Sequence, residues 1–240
     1  MFRHQGKTRT VSHNLQIASL LSFVAGIVNI TGFWSIQRLT TNVTGHFAFF
    51  VDEVFKLNFY QGFGFFFYVF YFFLGSFITG LLTEWIARKN SNNIFVLPVF
   101  IECIALLTTA FMGNHFLKTD PDYIAFLLLF AMGLQNALVT KISNSVVRTT
   151  HLTGLFTDLG IELSQLLFYK KIEFKHQLLA SIKLRLTIIL FFFIGGIIGG
   201  VFYSLIGLYG LIVPVIALIT GLINDNLKLS YIKIKRKYKD

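Results

Sequence analysis

The sequence predicts an all-α membrane protein with six transmembrane helices and two re-entrant half-helices, arranged as an inverted repeat of three plus three spans. Composition, the placement of charge and an internal repeat predict this class. Of 240 residues, 55% are hydrophobic and 13% are charged, about half the charge of an ordinary soluble domain. The 29 phenylalanines exceed what a water-exposed surface carries without aggregating. A soluble globular domain is therefore excluded.

Stretches without charge locate the predicted spans, because a helix that is apolar on all sides has little amphipathic pattern. Five stretches with at most one acid occupy residues 14–37, 57–83, 94–115, 123–140 and 186–224. The last would be about 58 Å long as a single helix, nearly twice the thickness of a hydrocarbon core. We therefore predict two helices there, with a turn near residues 207–210, and six spans in all.

Two further segments, 40–56 and 149–169, are only moderately apolar and carry two acids each, Asp52 and Glu53 in the first and Asp158 and Glu162 in the second. If neither segment crosses the membrane, 18 of the 21 lysines and arginines lie on the side of the two termini, and if both cross, 16 do. The positive-inside rule therefore favours six spans over eight and predicts that both termini are cytoplasmic. The basic tail, 228–240, is expected to lie against anionic lipid on that side.

Short matches recur in the same order in the two halves of the chain, 1–118 and 119–240. Each half would hold three spans and one half-polar segment, and an odd number of spans makes the second half enter the membrane inverted. Inverted repeats characteristically place a solute site at the midplane, between broken helices. The matching sequences are Gly26-Ile-Val-Asn29 with Gly133-Leu-Gln-Asn136, Thr41-Asn-Val-Thr-Gly45 with Thr150-His-Leu-Thr-Gly154, Gly75 and Gly80 with Gly195 and Gly200, and Val96-Leu-Pro98 with Ile212-Val-Pro214.

Polar residues inside the predicted membrane segments mark the candidate site, because ionisable groups at that depth are costly unless they meet water or a partner. Asp158 and Glu162 lie four residues apart and share one helix face. Glu102, alone in its span, is expected either to be paired across the repeat interface or to lie near a helix end, and we favour the paired, structural interpretation. A solute site and a network that only caps and packs helices require the same residues, so both interpretations stay open. The candidate substrate-binding residues are Asn29, Thr44, Gly45, His46, Gln135, Asn136, Arg148, His151, Thr153, Gly154, Asp158 and Glu162.

Several motifs carry a family resemblance: Ala25-Gly-Ile-Val-Asn29, Thr41-Asn-Val-Thr-Gly45-His46, Gly133-Leu-Gln-Asn136, Arg148-Thr-Thr-His151-Leu-Thr-Gly154 and Thr157-Asp158-Leu-Gly160. On these residues the chain resembles the YoaK-like family of bacterial inner-membrane proteins, a domain of unknown function, over nearly its whole length. The resemblance implies a multi-pass protein of the bacterial inner membrane, of a kind sometimes labelled a small-molecule transporter, with no substrate assigned.

Residues for cofactor, metal or covalent chemistry do not form a recognisable pattern. Cys103 is the single cysteine, the histidines match no metal-binding spacing, and no serine has a nucleophile-elbow setting. We therefore expect no enzyme activity, no cofactor, no metal and no nucleic-acid partner. The expected function is a carrier for a small solute, with the bilayer as its other partner and the oligomeric state left open. A structural or regulatory membrane protein is the alternative, and an intramembrane lipid-modifying enzyme is a more distant one.

Overall fold

The architecture is helical throughout the described part of the chain. A computed structural model describes residues 9–89, 94–168 and 172–237, and no strand occurs in them. The side chains of the basic tail, 228–240, and residues 169–171 lie outside the described part. The helices are α1 (Val11–Ile36), α2 (Val43–Phe55), α3 (Phe59–Arg88), α4 (Val96–Thr119), α5 (Asp122–Ser143), α6 (Leu152–Phe168), α7 (Ile172–Ile206) and α8 (Ile212–Lys237), with a 3₁₀ turn, Gly207–Leu211, between the last two.

Five segments have the length and apolar composition of membrane spans: Val11–Ile36, Phe59–Arg88, Val96–Thr119, Asp122–Ser143 and Phe174–Asp225. The chain is therefore a multi-pass, membrane-like helical protein. Large apolar side chains stay exposed on the outside of the bundle, as on α3, where Phe63, Phe73 and Phe77 are each more than half exposed. Such a surface suits lipid and is unfavourable in water.

The fifth segment, 52 residues long, reverses direction at the 3₁₀ turn, where Gly207 has φ 62°, a conformation that glycine adopts without strain. Before the turn, the Tyr203 ring lies 6.0 Å from the ring of Trp34, near the end of α1. After the turn, Asp225 lines a cavity with Gln16, near the beginning of α1. α7 and α8 therefore run in opposite directions along α1, and the turn lies where the glycines predict it.

Local sequence explains where the helices that frame the polar segments begin and end. α1 and α5 both end at a residue with left-handed backbone, Gln37 (φ 56°) and Asn144 (φ 55°), a conformation that stops a helix. The side chain of Asn42 accepts a 3.0 Å hydrogen bond from the backbone N–H of Gly45, which caps the first turn of α2. The chain can therefore turn back into the bundle after α1 and start a new helix there.

Two helix pairs pack closely through glycines, α1 with α7 and α3 with α5, and each pair joins the first half of the chain to the second. On each helix a glycine faces a phenylalanine carbonyl oxygen of the partner, and a β-carbon there would overlap that oxygen. Small residues of this kind let membrane helices approach closely. The contacts are Gly26 with Phe192, Gly195 with Phe23, Gly75 with Phe130, and Gly133 with Phe72.

Helices α1 and α5, which carry the matching Gly-x-x-Asn sequences, cross inside the bundle and run in opposite directions. Gln135 on α5 donates a 2.9 Å hydrogen bond to the carbonyl oxygen of Leu21 on α1. Further along α1, Gly32 lies against Leu128, which precedes Gln135 on α5. Opposite directions are what an inverted second half requires.

Helices α2 and α6 are short, with 13 and 17 residues, or about 20 Å and 26 Å, against a hydrocarbon core of about 30 Å. α2 folds back along the first turns of α3, where the rings of Phe49 and Phe65 are 5.2 Å apart. α6 returns along α7 in the same way, with Glu162 bonded to Arg185 at 2.8 Å. Each half-helix therefore begins inside the bundle and leaves it at the end by which the chain entered.

One boundary predicted from the sequence is wrong. The span predicted at 186 belongs to a helix that already begins at Ile172, so residues 172–185 are the first turns of α7. The prediction ended the span at its charges, but a helix continues through charged residues whose long side chains reach polar surroundings. The extra turns bring Arg185 alongside α6.

Candidate functional site

Two cavities lie at opposite ends of the bundle, each between a half-helix and the long helix that packs on it. We call the first the arginine cavity. Its volume is about 430 Å³, and its polar lining is Ser145, Arg148, His151, Asp158, Ser181 and Arg185, with Gly154 among the other lining residues. We call the second the aromatic cavity. Its volume is about 460 Å³, and its lining includes Arg38, Glu53, Tyr60, Phe65, Tyr68 and Asp122.

In the arginine cavity, Arg185 of α7 binds both acids of α6. Its Nε and Nη2 donate to the two carboxylate oxygens of Glu162 at 2.8 and 2.9 Å, and its Nη1 lies 2.9 Å from Asp158. Ser181 donates a further 2.6 Å hydrogen bond to Glu162. Two parallel bonds from one guanidinium make a strong and directional ion pair. The Glu162 pair fastens α6 to α7, whereas the Asp158 side chain stays half exposed.

Arg148, in contrast, makes no hydrogen bond or ion pair with any residue in the described part of the chain, and it is exposed. It lies in the connection between α5 and α6, which is held by a 3.0 Å hydrogen bond from the Val147 N–H to the Ser143 hydroxyl. A guanidinium that faces a cavity without a protein partner is available to an anionic group.

The first turn of α6 also favours an anionic group in the arginine cavity. His151 precedes the helix, and its ring lies so close to Gly154 that a β-carbon at this position would overlap Nδ1. The glycine therefore makes room for the histidine at the helix start. Free backbone N–H groups at a helix N-terminus favour negative charge. With Arg185 balanced by two acids and Arg148 unpaired, the cavity is suited to a small anion or a zwitterion.

The aromatic cavity contains a linked set of three side chains. The Tyr68 hydroxyl donates a 2.5 Å hydrogen bond to Asp122 and accepts one of 3.4 Å from Nε of Arg38. The guanidinium of Arg38 lies 5.2 Å from the centre of the Phe65 ring, a cation–π contact. This set joins the connection after α1 to α3 and α5, and its charges are already partnered.

Each cavity lies beside the half-helix of one half of the chain, the arginine cavity beside α6 and the aromatic cavity beside α2, and the sequence matches relate some of their residues. The offset of 109 that relates Gly45 to Gly154 also relates Glu53, in the aromatic cavity, to Glu162. The offset of 120 that relates Gly75 to Gly195 places Phe65 where the second half has Arg185. The first half therefore lacks the arginine that binds the acids of the second.

The polar residues near the middle of α1 and α5 hold the half-helices in place. Thr41 donates a 2.8 Å hydrogen bond to the Asn29 side chain, and Thr150 donates one of 2.8 Å to Asn136. The Gln135 amide, which bonds to α1, also lies 3.5 Å from the hydroxyl of Thr149. These amides act as anchors between helices, and they do not line the arginine cavity.

The predicted site residues are therefore only partly brought together. Arg148, His151, Gly154 and Asp158 share one cavity, and Glu162 joins them through Arg185. The remaining predicted residues on the half-helices do not line it. Thr44 and Thr153 are exposed, Gly45 receives its cap from Asn42, and His46 is buried with Nε2 2.7 Å from the carbonyl of Leu39 and its ring 4.9 Å from Tyr68.

At the end of α2, Asp52 and Glu53 lie beside Lys56. The Lys56 ammonium is 2.6 Å from Asp52 and 4.0 Å from Glu53, with Lys56 and Asp52 at least half exposed. The hydrogen bond to Asp52 raises the pKa of Lys56. These contacts are those of a hydrated helix end.

Sequence reasoning missed Arg185, Ser181, Arg38 and Tyr68. Arg185 and Ser181 lie outside the span predicted to start at 186, although their spacing of four residues continues the face of α7 at Ile188, which also lines the cavity. That spacing was a usable signal. No sequence signal pairs Tyr68 with Asp122, because the two residues belong to different helices.

The fold and the two cavities define a multi-pass helical membrane protein with half-helices that enter and leave at the same end of the bundle. The chain belongs to the family described as "Protein of unknown function (DUF1275)", whose model matches residues 17–223. No curated protein and no solved structure matches it.

Proposed function

We propose that the protein is an integral membrane carrier for a small anionic or zwitterionic solute, and that the solute binds in the arginine cavity. The observation that carries the proposal is Arg148, an unpaired guanidinium that shares a cavity of about 430 Å³ with the Arg185–Asp158 pair. Pockets for small molecules commonly have volumes of about 300–1,000 Å³. If these polar residues served only to pack the helices, we would expect neither an open cavity nor an arginine without a partner among the described residues.

The proposed carrier has six spans and two re-entrant half-helices, arranged as inverted halves. The opposite directions of α1 and α5 support this arrangement, as do the matching glycine contacts of the α1–α7 and α3–α5 pairs. Each of these pairs is a contact between the two halves, and we propose that the halves move against each other at these two similar contacts. This movement would open the arginine cavity and the aromatic cavity in turn.

The proposed orientation places both termini in the cytoplasm of a bacterium, with the protein in the inner membrane. The distribution of lysine and arginine supports this, since 18 of 21 lie on the terminal side and positive charge is retained inside. The arginine cavity then faces the cytoplasm, because α6 leaves the bundle at the end where α7 begins.

In the proposed binding event, an anionic group of the solute contacts Arg148 and competes with Asp158 for Arg185. Asp158 is the acid better placed for this exchange, because its side chain is 50% exposed, compared with 13% for Glu162. Glu162 keeps Arg185 attached to α6 throughout, and Asp158 sets how easily the guanidinium reaches the solute.

The test is uptake into liposomes that contain the purified protein, with labelled small carboxylates, amino acids and phosphate esters as probes. Asp158→Asn removes the acid that competes with the solute for Arg185, so the bound solute is released slowly and uptake is expected to fall by about tenfold or more, while expression and elution volume stay unchanged. Asp52→Asn is the matched control, because Asp52 is an equally exposed acid whose partner is a lysine on its own helix end. Uptake that falls only in proportion to folded protein, or no uptake of any probe, would favour the structural alternative. A modified lipid in the liposomes would favour the enzyme.

A further inference from the structure

Glu102 on α4 is the one buried acid in the described part of the chain. Its side chain has 0% exposure, and neither carboxyl oxygen has a hydrogen-bond partner among the described residues. The helix around it is part of the apolar core, which contains Val99, Cys103 and Leu106. The pairing expected from the sequence is therefore absent from the described structure, and packing does not explain why an acid is present.

The elements packed on α4 are α3, α5, the 3₁₀ turn and α8. None of their described ionisable side chains lies within hydrogen-bond or ion-pair distance of Glu102. Glu84 and Lys141 bind each other at 2.5 Å, and Asp122 binds Tyr68. The ionisable groups whose side chains the structure describes on these elements are Tyr60, Tyr68, Tyr71, Glu84 and Arg88 on α3, Asp122, Tyr123 and Lys141 on α5, Tyr209 in the turn and Asp225 on α8.

An ionised carboxylate in such surroundings lacks water, donors and positive charge. The penalty for burying an unpaired ion is several kcal/mol, and acids at membrane depth mark proton or ion pathways. The packing seen here therefore holds Glu102 in its neutral, protonated form. Release of the proton requires water or a donor to reach the side chain, and the apolar packing around α4 has to open for that.

Opening of the packing around α4 also changes how the two halves of the chain contact each other. α4 belongs to the first half, and it packs on α5, the 3₁₀ turn and α8 of the second half. Leu208 of the turn fills the space beside Gly113 so closely that a β-carbon would overlap its side chain. Movement of α4 against these elements is therefore movement of one half against the other.

We propose that Glu102 is the proton-binding site of the carrier, protonated while α4 is packed on the second half and deprotonated when the two halves separate there. The inference rests on the proposed carrier function, and it identifies the coupling ion as a proton. Solute binding in the arginine cavity and proton binding at Glu102 are then linked, because both depend on the same rearrangement of the halves.

Cys103 supplies a built-in reporter for this opening. It is the single cysteine of the chain, it neighbours Glu102, and it is 5% exposed. The experiment measures the rate at which N-ethylmaleimide alkylates Cys103 in the purified full-length protein across a pH series, in wild type and in Glu102→Gln. The variant keeps the size of the side chain and stays neutral, and dividing the two rates removes the general effect of pH on thiol reactivity.

The expected result is a wild-type to variant ratio that rises with pH, by up to about tenfold per pH unit for linkage to one proton. A ratio that does not change with pH would overturn the proposal. Because no solute is present, the result is independent of transport. Solute uptake with a constant ratio would support the carrier function and contradict the proton site at Glu102. A rising ratio without uptake would support the proton site and contradict the carrier function.

A second measurement uses wild type alone, in case the variant fails to fold. Dicyclohexylcarbodiimide reacts with protonated carboxyl groups in apolar surroundings. The carboxyl proton moves to a carbodiimide nitrogen, the carboxylate oxygen bonds to the central carbon, and the acyl group then migrates to nitrogen with no atom lost. Mass spectrometry should find the N-acylurea on Glu102, less of it at high pH, and none on Glu84, which is exposed and paired with Lys141. An unmodified Glu102 at every pH would contradict the proposal.

Discussion

Thr41 donates a 2.8 Å hydrogen bond from its hydroxyl to the side-chain oxygen of Asn29. Asn29 lies two turns before the end of α1, so this bond places Thr41 well inside the bundle. Thr150 and Asn136 form a bond of the same length two turns before the end of α5. In both halves, therefore, one threonine–asparagine contact sets the depth at which a half-helix begins.

Thr150→Val should destabilise the protein by about 1–2 kcal/mol, because it removes the hydroxyl and leaves the partly buried Asn136 amide oxygen without this donor. Thr150→Ser, which keeps a hydroxyl, should restore most of the loss. Thermal unfolding in detergent measures both. Thr157→Val is the control, since Thr157 is exposed and bonds only to its own helix at Thr153, and it should change stability by less than about 0.5 kcal/mol. Equal effects at the two positions would mean that the contact with Asn136 contributes little.

Gly75→Ala should destabilise the α3–α5 pair by about 1–3 kcal/mol or more, because the new β-carbon overlaps the carbonyl oxygen of Phe130 and the backbones must separate. Gly80→Ala on the same helix meets nothing within 4 Å, so it should be neutral or stabilising by up to about 1 kcal/mol. The unfolding midpoints of the two variants should move in opposite directions or differ clearly. Similar midpoints would show that the close approach at Gly75 is not maintained in solution.

Arg148→Gln should leave thermal stability within about 0.5 kcal/mol of wild type, because Arg148 is exposed and makes no hydrogen bond or ion pair with a described residue, and it should lower kcat/KM for uptake by about tenfold or more. Arg148→Lys should recover part of the activity, since it keeps the charge and loses the planar fork. Glu162→Gln is the contrasting variant and should lower stability, because Arg185 loses its bidentate partner. Loss of stability in Arg148→Gln would assign this residue to packing.

The topology predicts labelling on defined sides of the membrane. In a Cys103→Ser background, Arg38→Cys and Lys56→Cys should both react with an impermeant maleimide added from outside, because α2 leaves the bundle at the end where it entered. Arg148→Cys should react only from inside, given the placement of 18 of 21 lysines and arginines on the terminal side. Reaction of positions 38 and 56 from different sides would make α2 a crossing helix.

Prediction from sequence succeeded where a property depends on residues that are near one another in the chain. The turn at Gly207 follows from an apolar stretch too long for one crossing, and the acids at 158 and 162 share a face because a helix has a fixed period. Prediction was wrong about the start of α7, since the charges that end at Arg185 are taken as a helix boundary, and about Glu102, since the acid that is expected to be paired has no hydrogen-bond partner among the described residues. Both errors depend on which residues of other helices lie beside Arg185 and Glu102, and only the folded structure shows those neighbours.

The sequence by itself determined that the chain is an all-helical, multi-pass protein, because the bilayer imposes its length and polarity on each apolar segment separately. It also predicts which residues of the two halves correspond, because the matching motifs follow in the same order in each half. Only the tertiary structure decided that α1 packs on α7, and α3 on α5, so that the close glycine contacts join helices of different halves. It alone gave Arg185 two acids, left Arg148 without a hydrogen-bond or ion-pair partner among the described residues and enclosed Glu102 among apolar side chains. These are contacts between residues far apart in the chain, and they depend on how whole helix surfaces fit together.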